Sequence, residues 1–191
     1  VDVEAIYTAA NGIGAGRAYI YYGGSPMDNV SDVNITGATA GDLLGISVSG
    51  AGDMDNDGYD DVIVGADGND SGGSNAGCTY VYLGDPSMDN ISDVAFIGAA
   101  ADDFFGMFVS NAGDVNNDGY GDAIVGAKQN DAGGNNAGRA YIYFGGSPLD
   151  KTPDVTLTGA AAFDGFGSSV SNAGDVNEDD YDDVIVDWTD A

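Results

Sequence analysis

Not one of the 191 residues is a histidine, which removes the usual general base, the serine triads and the common zinc ligand sets. Cys78 is the only cysteine and stands where the other repeats described below carry Arg17 and Arg139, so no internal disulfide forms. Cations are equally scarce: Arg17, Lys128, Arg139 and Lys151 face 32 acidic residues, for a net charge of -28. Such a chain is unsuited to nucleic acid, which is held through its phosphates, and to anionic lipid surfaces. No apolar run reaches membrane-spanning length, and no segment carries a helical period. Neither an initiator Met nor a signal peptide opens the chain, the pattern expected of a processed chain or a piece of a longer one.

What the chain has in quantity is one acidic loop, three times, at a spacing of 61 residues: AGDMDNDGYDDVIVGA (51 to 66), AGDVNNDGYGDAIVGA (112 to 127) and AGDVNEDDYDDVIVDW (173 to 188). Each places oxygen side chains at every second residue, then a turn, then a further carboxylate, the pattern by which a short loop wraps calcium. The candidate ligands are Asp53, Asp55, Asp57, the Tyr59 carbonyl and Asp61 in the first loop, and Asp114, Asn116, Asp118, the Tyr120 carbonyl and Asp122 in the second. The third offers Asp175, Asn177, Asp179, the Tyr181 carbonyl and Asp183. Gly58 and Gly119 allow the sharp bend, whereas Asp180 replaces glycine in the third loop, which is expected to be the weakest site. One ion per repeat, about three in all, follows. Magnesium prefers to keep its waters and suits such a cage less well.

A tight acidic turn is the alternative for any single loop, but three copies in register argue against it. An EF-hand would need glutamate at the twelfth position, where Val64, Val125 and Val186 stand. Those valines sit in β-type runs (DVIVG, DAIVG, DVIVD), so the loops connect strands. The proposed ligands use ten carboxylates, and the other 22 of the 32 read as a solvated acidic surface.

Counted from Val1, the period gives repeats at 1 to 61, 62 to 122 and 123 to 183, with an overhang at 184 to 191. VDVEA (1 to 5) falls on VIVGA (62 to 66) by the same spacing. Four strands are predicted per period: RAYIYYG (17 to 23), DVNITG (32 to 37), GISVSG (45 to 50) and the valine-rich run after the loop, with counterparts in the later copies. Four strands in about 60 residues is the size of one propeller blade. The valine-rich run is apolar on both faces, as expected of a strand packed between neighbouring sheets. Tyr19, Tyr80 and Tyr141, with Tyr21, Tyr82 and Tyr143, recur on one strand face and fit packing between blades better than sugar binding.

The pairs LG (44 to 45), FG (105 to 106) and FG (166 to 167), each followed by the acidic loop and in two copies by GA (65 to 66, 126 to 127), resemble the FG-GAP repeat. Asp42, Asp103 and Asp164 just ahead of these pairs, and the GG-x-N-x-G stretches at 72 to 77 and 133 to 138, extend the resemblance over the chain. Asp67 and Lys128 depart from the family's proline, and Asp187 and Trp188 from the last GA. The resemblance implies an all-β fold of three tandem four-stranded blades of the calcium-loaded propeller type found in integrin α heads. It also implies a non-catalytic extracellular module for adhesion or surface structure.

Propellers of that family usually have seven blades, so three leave a ring open. The missing sheets would come from further blades of the same protein or from copies of itself, or the repeats would stack as an open array. A head-to-tail filament is one expectation. The alternative function is the ligand-binding head of a larger surface receptor, with a protein or glycan ligand, or a propeller that accompanies an enzyme. Catalysis by paired carboxylates is disfavoured because every candidate pair recurs with the repeat, whereas an active site normally breaks such symmetry. Triplets at Asn29, Asn34, Asn69 and Asn90 permit N-glycosylation.

Overall fold

The computed structural model describes residues 11 to 188. Every regular element among them is a strand. VDVEA, read above as a counterpart of VIVGA, lies outside the described residues.

Two complete sheets sit in the middle of the chain, each an antiparallel meander. One contains β3 (Val48–Gly52), β4 (Asp61–Ala66), β5 (Cys78–Tyr82) and β6 (Val94–Ile97) in that spatial order. The next contains β7 (Phe108–Gly113), β8 (Asp122–Ala127), β9 (Arg139–Tyr143) and β10 (Val155–Thr158). The pair β1 (Arg17–Ile20) and β2 (Val33–Thr36) precedes them, and the pair β11 (Ser169–Gly174) and β12 (Asp183–Asp187) follows. Both complete sheets have the four-stranded form of a propeller blade, and the described sheets do not close a ring.

The sheets group the strands at a phase of the period different from a count begun at Val1. Each complete sheet opens on the strand before an acidic loop and closes on the strand of the DVNITG type. The junctions 61/62, 122/123 and 183/184 therefore fall inside β4, β8 and β12.

Each acidic loop is introduced by the same backbone device. The ladder shifts register between Gly50 and Gly52, between Asn111 and Gly113, and between Asn172 and Gly174. Gly52, Gly113 and Gly174 all have positive φ, the conformation of a glycine β-bulge. The extra residue turns the chain out of the ladder just before the first loop aspartate.

Apolar residues on both faces of the central strands account for the packing. Ile63 and Val64 on β4, and Ile124 and Val125 on β8, are completely buried between sheets. Each such side chain contributes about 1.5–3 kcal/mol by leaving water. Between the two complete sheets, Phe96 stacks on Tyr143 with ring centroids 3.8 Å apart, and Phe105 meets Tyr141 edge-on at 5.5 Å. Tyr141 and Tyr143 are buried in this layer, and Tyr82 is buried against β1 and β2 on the other side of the first complete sheet. Ile185 on β12 occupies the place of Ile63 and Ile124, yet it is 61% exposed where they are 0% exposed.

Glycine sets the distance between neighbouring sheets. The N–H of Gly106, in the connection from β6 to β7, donates to the Gly126 carbonyl on β8 at 3.1 Å. A Cβ on Gly65 of the preceding β4 would lie 1.9 Å from the Gly106 carbonyl oxygen. The FG glycine is thus held between the GA glycines of two successive sheets, with no room for a methyl group. Gly45 donates in the same way to Gly65, and Gly167 to Asp187, while a Cβ on Gly126 would lie 2.1 Å from the Gly167 carbonyl oxygen. At Asp187 the side chain differs but the backbone acceptor is kept, so the motif's last glycine is dispensable there.

Substituting Gly65→Ala is expected to cost on the order of 3 kcal/mol, because the clash is with backbone. Gly41→Ala, where a Cβ meets nothing within 4 Å but φ is +91°, should cost only about 1 kcal/mol. Urea unfolding of the two variants under one buffer condition measures the difference, and equal losses would contradict the role assigned to Gly65.

Candidate metal centre

The three acidic loops join β3 to β4, β7 to β8 and β11 to β12. Their first aspartates organise the backbone. Asp53 accepts the N–H of Asp57 on Oδ1 at 3.0 Å and that of Gly58 on Oδ2 at 2.9 Å. Asp114 does the same with Asp118 and Gly119, at 3.0 and 2.8 Å, and Asp175 with Asp179 and Asp180, at 3.1 and 3.0 Å. Asp57, Asp118 and Asp179 in turn accept the N–H of Tyr59, Tyr120 and Tyr181. One frame of hydrogen bonds is repeated in all three loops.

The last aspartate of each loop begins the following strand and reaches back. Asp61 Oδ2 accepts the Met54 N–H and its Oδ1 the Gly84 N–H, both at 2.7 Å. Asp122 accepts the N–H groups of Val115 and Gly145, both at 2.8 Å, and Asp183 accepts that of Val176 at 2.9 Å. Asp61 and Asp122 are buried, while Asp183 is half-buried and the rest of its loop lies open to solvent.

The turn tests the expectation attached to Asp180. Gly58 and Gly119 have φ of +96° and +88°, and Asp180 takes the same region at +71°. The third loop therefore adopts the shape of the others at a cost of about 1–2 kcal/mol, since a Cβ crowds the backbone there.

Oxygens of Asp53, Asp55 and Asp61 lie within 4.8 Å of one another. In the second loop Asn116 occupies the place of Asp55 and offers an amide oxygen, its Nδ2 donating to Asp118 Oδ2 at 2.8 Å. Burial pushes Asp61 up to about 6 despite its two N–H partners, with Asp55 and Asp53 adding repulsion. Asp122 is pushed to about 6 by the same cause, with Asp118 and Asp114 adding to it. A buried carboxylate beside other carboxylates, with no cationic side chain among the causes of its shift, is a charge imbalance that a hard cation would remove. The donor set is entirely oxygen, which fits calcium and not a soft metal.

Further carboxylates take parts that sequence reasoning assigned to the solvated surface. Asp32, Asp93 and Asp154 accept the N–H groups of Tyr22, Leu83 and Phe144, pinning the return of the chain after β1, β5 and β9. Their recurrence at the 61-residue period was the available signal. Asp93 also lines, with Asp55, Asp57, Asp85 and Asp89, an acidic cleft of about 250 Å³ beside the first loop. Asp42, Asp103 and Asp164 are buried ahead of the FG pairs, and Asp103 accepts the Asn130 amide at 2.7 Å.

Cys78 is buried and its thiol pushed up to about 11 by that burial, which leaves it protonated and unreactive at neutral pH. Of the glycosylation triplets, Asn69 is buried with its Oδ1 accepting the Ser71 N–H, whereas Asn29, Asn34 and Asn90 are exposed.

Repeated four-stranded sheets, an FG glycine wedged between successive GA glycines and an acidic loop in front of each GA strand define a class of propeller-type repeat. Residues 44–82 and 105–143 match that class under its own description, the FG-GAP repeat, and this chain is an FG-GAP repeat protein. It is 32% identical over 136 residues to integrin alpha-6 of Homo sapiens, covering 70% of this chain and 11% of that protein. Integrin alpha-8 of Gallus gallus is 33% identical over 187 residues, 91% of this chain and 18% of that protein. Integrin alpha-PS2 of Drosophila melanogaster is 33% identical over 168 residues, 80% and 12%. The chain thus spans less than a fifth of the length of these curated relatives.

The shifts at Asp61 and Asp122 fix a pH dependence for the cation-free protein. Both carboxyls keep a proton up to about pH 6 when folded and only to about 3.8 when unfolded. The folded chain therefore binds more protons in that window, and stability falls as pH rises through it, by roughly 3 kcal/mol per carboxyl at most. Thermal melts after exhaustive chelation should show a lower Tm at pH 6.5 than at pH 4.5. A Tm that rises over that interval would contradict the burial argument.

Proposed function

We propose that this chain is a non-catalytic calcium-binding module of the cell surface, serving in extracellular adhesion or as a structural surface component. One ion would brace each sheet, about three in all. In the first loop Asp53, Asp55, Asp57, Asp61 and the Tyr59 carbonyl would hold it, and in the second Asp114, Asn116, Asp118, Asp122 and the Tyr120 carbonyl. Asp175, Asn177, Asp179, Asp183 and the Tyr181 carbonyl would do so in the third. The observation that carries this reading is the single hydrogen-bond frame repeated in all three loops, joined in the first two by a last carboxylate, Asp61 or Asp122, whose charged form burial disfavours. Calcium supplies the compensating charge, and because the ligands converge only in the folded chain, its binding free energy becomes folding free energy.

The named relatives are integrin alpha chains, and their similarity supports an adhesion role over an enzymatic one. It equally supports the second reading, in which these repeats belong to the ligand-binding head of a larger receptor that engages a protein or glycan. The exposure of Ile185 favours a further sheet of the same kind over β12. That sheet would come from additional blades of the protein or from a second copy, and the second source would make the chain self-assembling. Division into repeats at 1 to 61, 62 to 122 and 123 to 183, with the overhang at 184 to 191, would be the sequence period within this arrangement.

Chelation tests the reading. At calcium 100-fold above its dissociation constant each ion adds about 2.7 kcal/mol, so removing three lowers Tm by on the order of 20 °C. Differential scanning calorimetry with calcium and with EDTA measures the shift, and superimposable melts would refute calcium bracing. Restoring glycine through Asp180→Gly should strengthen the third site by relieving the left-handed strain, seen as a lower dissociation constant for the weakest ion in calorimetric titration.

A further inference from the structure

The acidic loops are not independent of one another. In the second loop the residue before the last ligand is Gly121, and its N–H donates to the Asp53 carbonyl of the first loop at 2.8 Å. In the third loop the same place is held by Asp182, whose N–H donates to the Asp114 carbonyl at 3.1 Å. Asp182 adds a bond that Gly121 cannot make: its Oδ2 accepts the Asp114 N–H at 2.9 Å. Asp114 is thereby gripped on both sides of its Cα by one residue of the neighbouring sheet. Gly113 makes this possible, because a Cβ there would lie 2.2 Å from the same Asp182 oxygen.

Asp114 is the residue whose two carboxylate oxygens gather the turn of the second loop, and Asp182 adjoins Asp183, the last ligand of the third. Whatever fixes Asp183 therefore fixes Asp182, and through it the backbone of Asp114. We propose that Asp182 is a positioning residue that couples cation binding in the third loop to cation binding in the second, so that occupancy of either raises the affinity of the other. The coupling is reciprocal by thermodynamic necessity. The first and second loops are joined by the backbone bond from Gly121 to Asp53, and the Gly146 N–H, in the connection after β9, donates to the Met54 carbonyl at 2.7 Å. The proposal rests on the calcium reading given above.

Calcium titration followed by amide NMR tests it, with the Gly58, Gly119 and Asp180 amides reporting the three loops separately in the intact chain. Asp182→Gly reproduces the residue that the second loop already carries at Gly121, so the fold tolerates it. It should raise the calcium midpoint at Gly119 about fivefold or more, the lower end of ordinary coupling. Asp182→Asn, which retains an oxygen acceptor, should restore the midpoint to within about twofold. Disabling the third loop with Asp175→Asn and Asp179→Asn should weaken the second in the native background and leave it unchanged in Asp182→Gly. A Gly119 midpoint unmoved by Asp182→Gly while all three loops still bind calcium would overturn the coupling alone. No calcium response at any loop of the native chain would overturn the calcium reading together with it.

Discussion

Close backbone approach at glycine is the constraint on which the rest of the structure depends. With the Gly106 amide on the Gly126 carbonyl and its own carbonyl against Gly65, two successive sheets are set at a distance that no side chain separates. That distance lets Phe96 lie flat on Tyr143 and leaves Ile63 and Val125 without contact to water. The same spacing places the loop of one sheet beside the loop of the next, where Gly121 reaches Asp53 and Asp182 reaches Asp114. Packing and the placement of the acidic loops share one geometric origin.

The acidic loops join β3 to β4, β7 to β8 and β11 to β12. Their first aspartate works on the backbone of its own loop, and their last works between the loop and the turn after the next strand but one. Asp61 and Asp122 thus tie three segments at one carboxylate, and burial there makes the group costly as an anion. The cost of that anion is an electrostatic imbalance at the last aspartate of each of these two loops. In the β11–β12 pair Asp183 is half-buried and the loop around it exposed.

Much of the fold was legible in the sequence. Alternating apolar residues in RAYIYYG and DVNITG announced strands, and DVIVGA announced a strand buried on both faces, because side-chain direction alternates along an extended chain. The acidic loops were legible from spacing alone, since oxygen side chains recur in them at every second residue. The grouping of strands into sheets was not legible. A period reads the same from any starting point, and only hydrogen bonding between β3 and β4, or β6 and β5, decides where a sheet begins. Asp32, Asp93 and Asp154 recur with the period, but so do other carboxylates, and only the N–H each one meets shows its part in the fold.

By itself the sequence determined the all-β class, the 61-residue period and the oxygen-only loops, because these follow from local periodicity and side-chain chemistry. Tertiary structure alone decided which carboxylates lose their water and which glycines touch. It also decided that Asp182, unremarked among its acidic neighbours, grips Asp114 of another sheet. Burial and contact belong to pairs of segments far apart in the chain, and no local pattern encodes which segments meet.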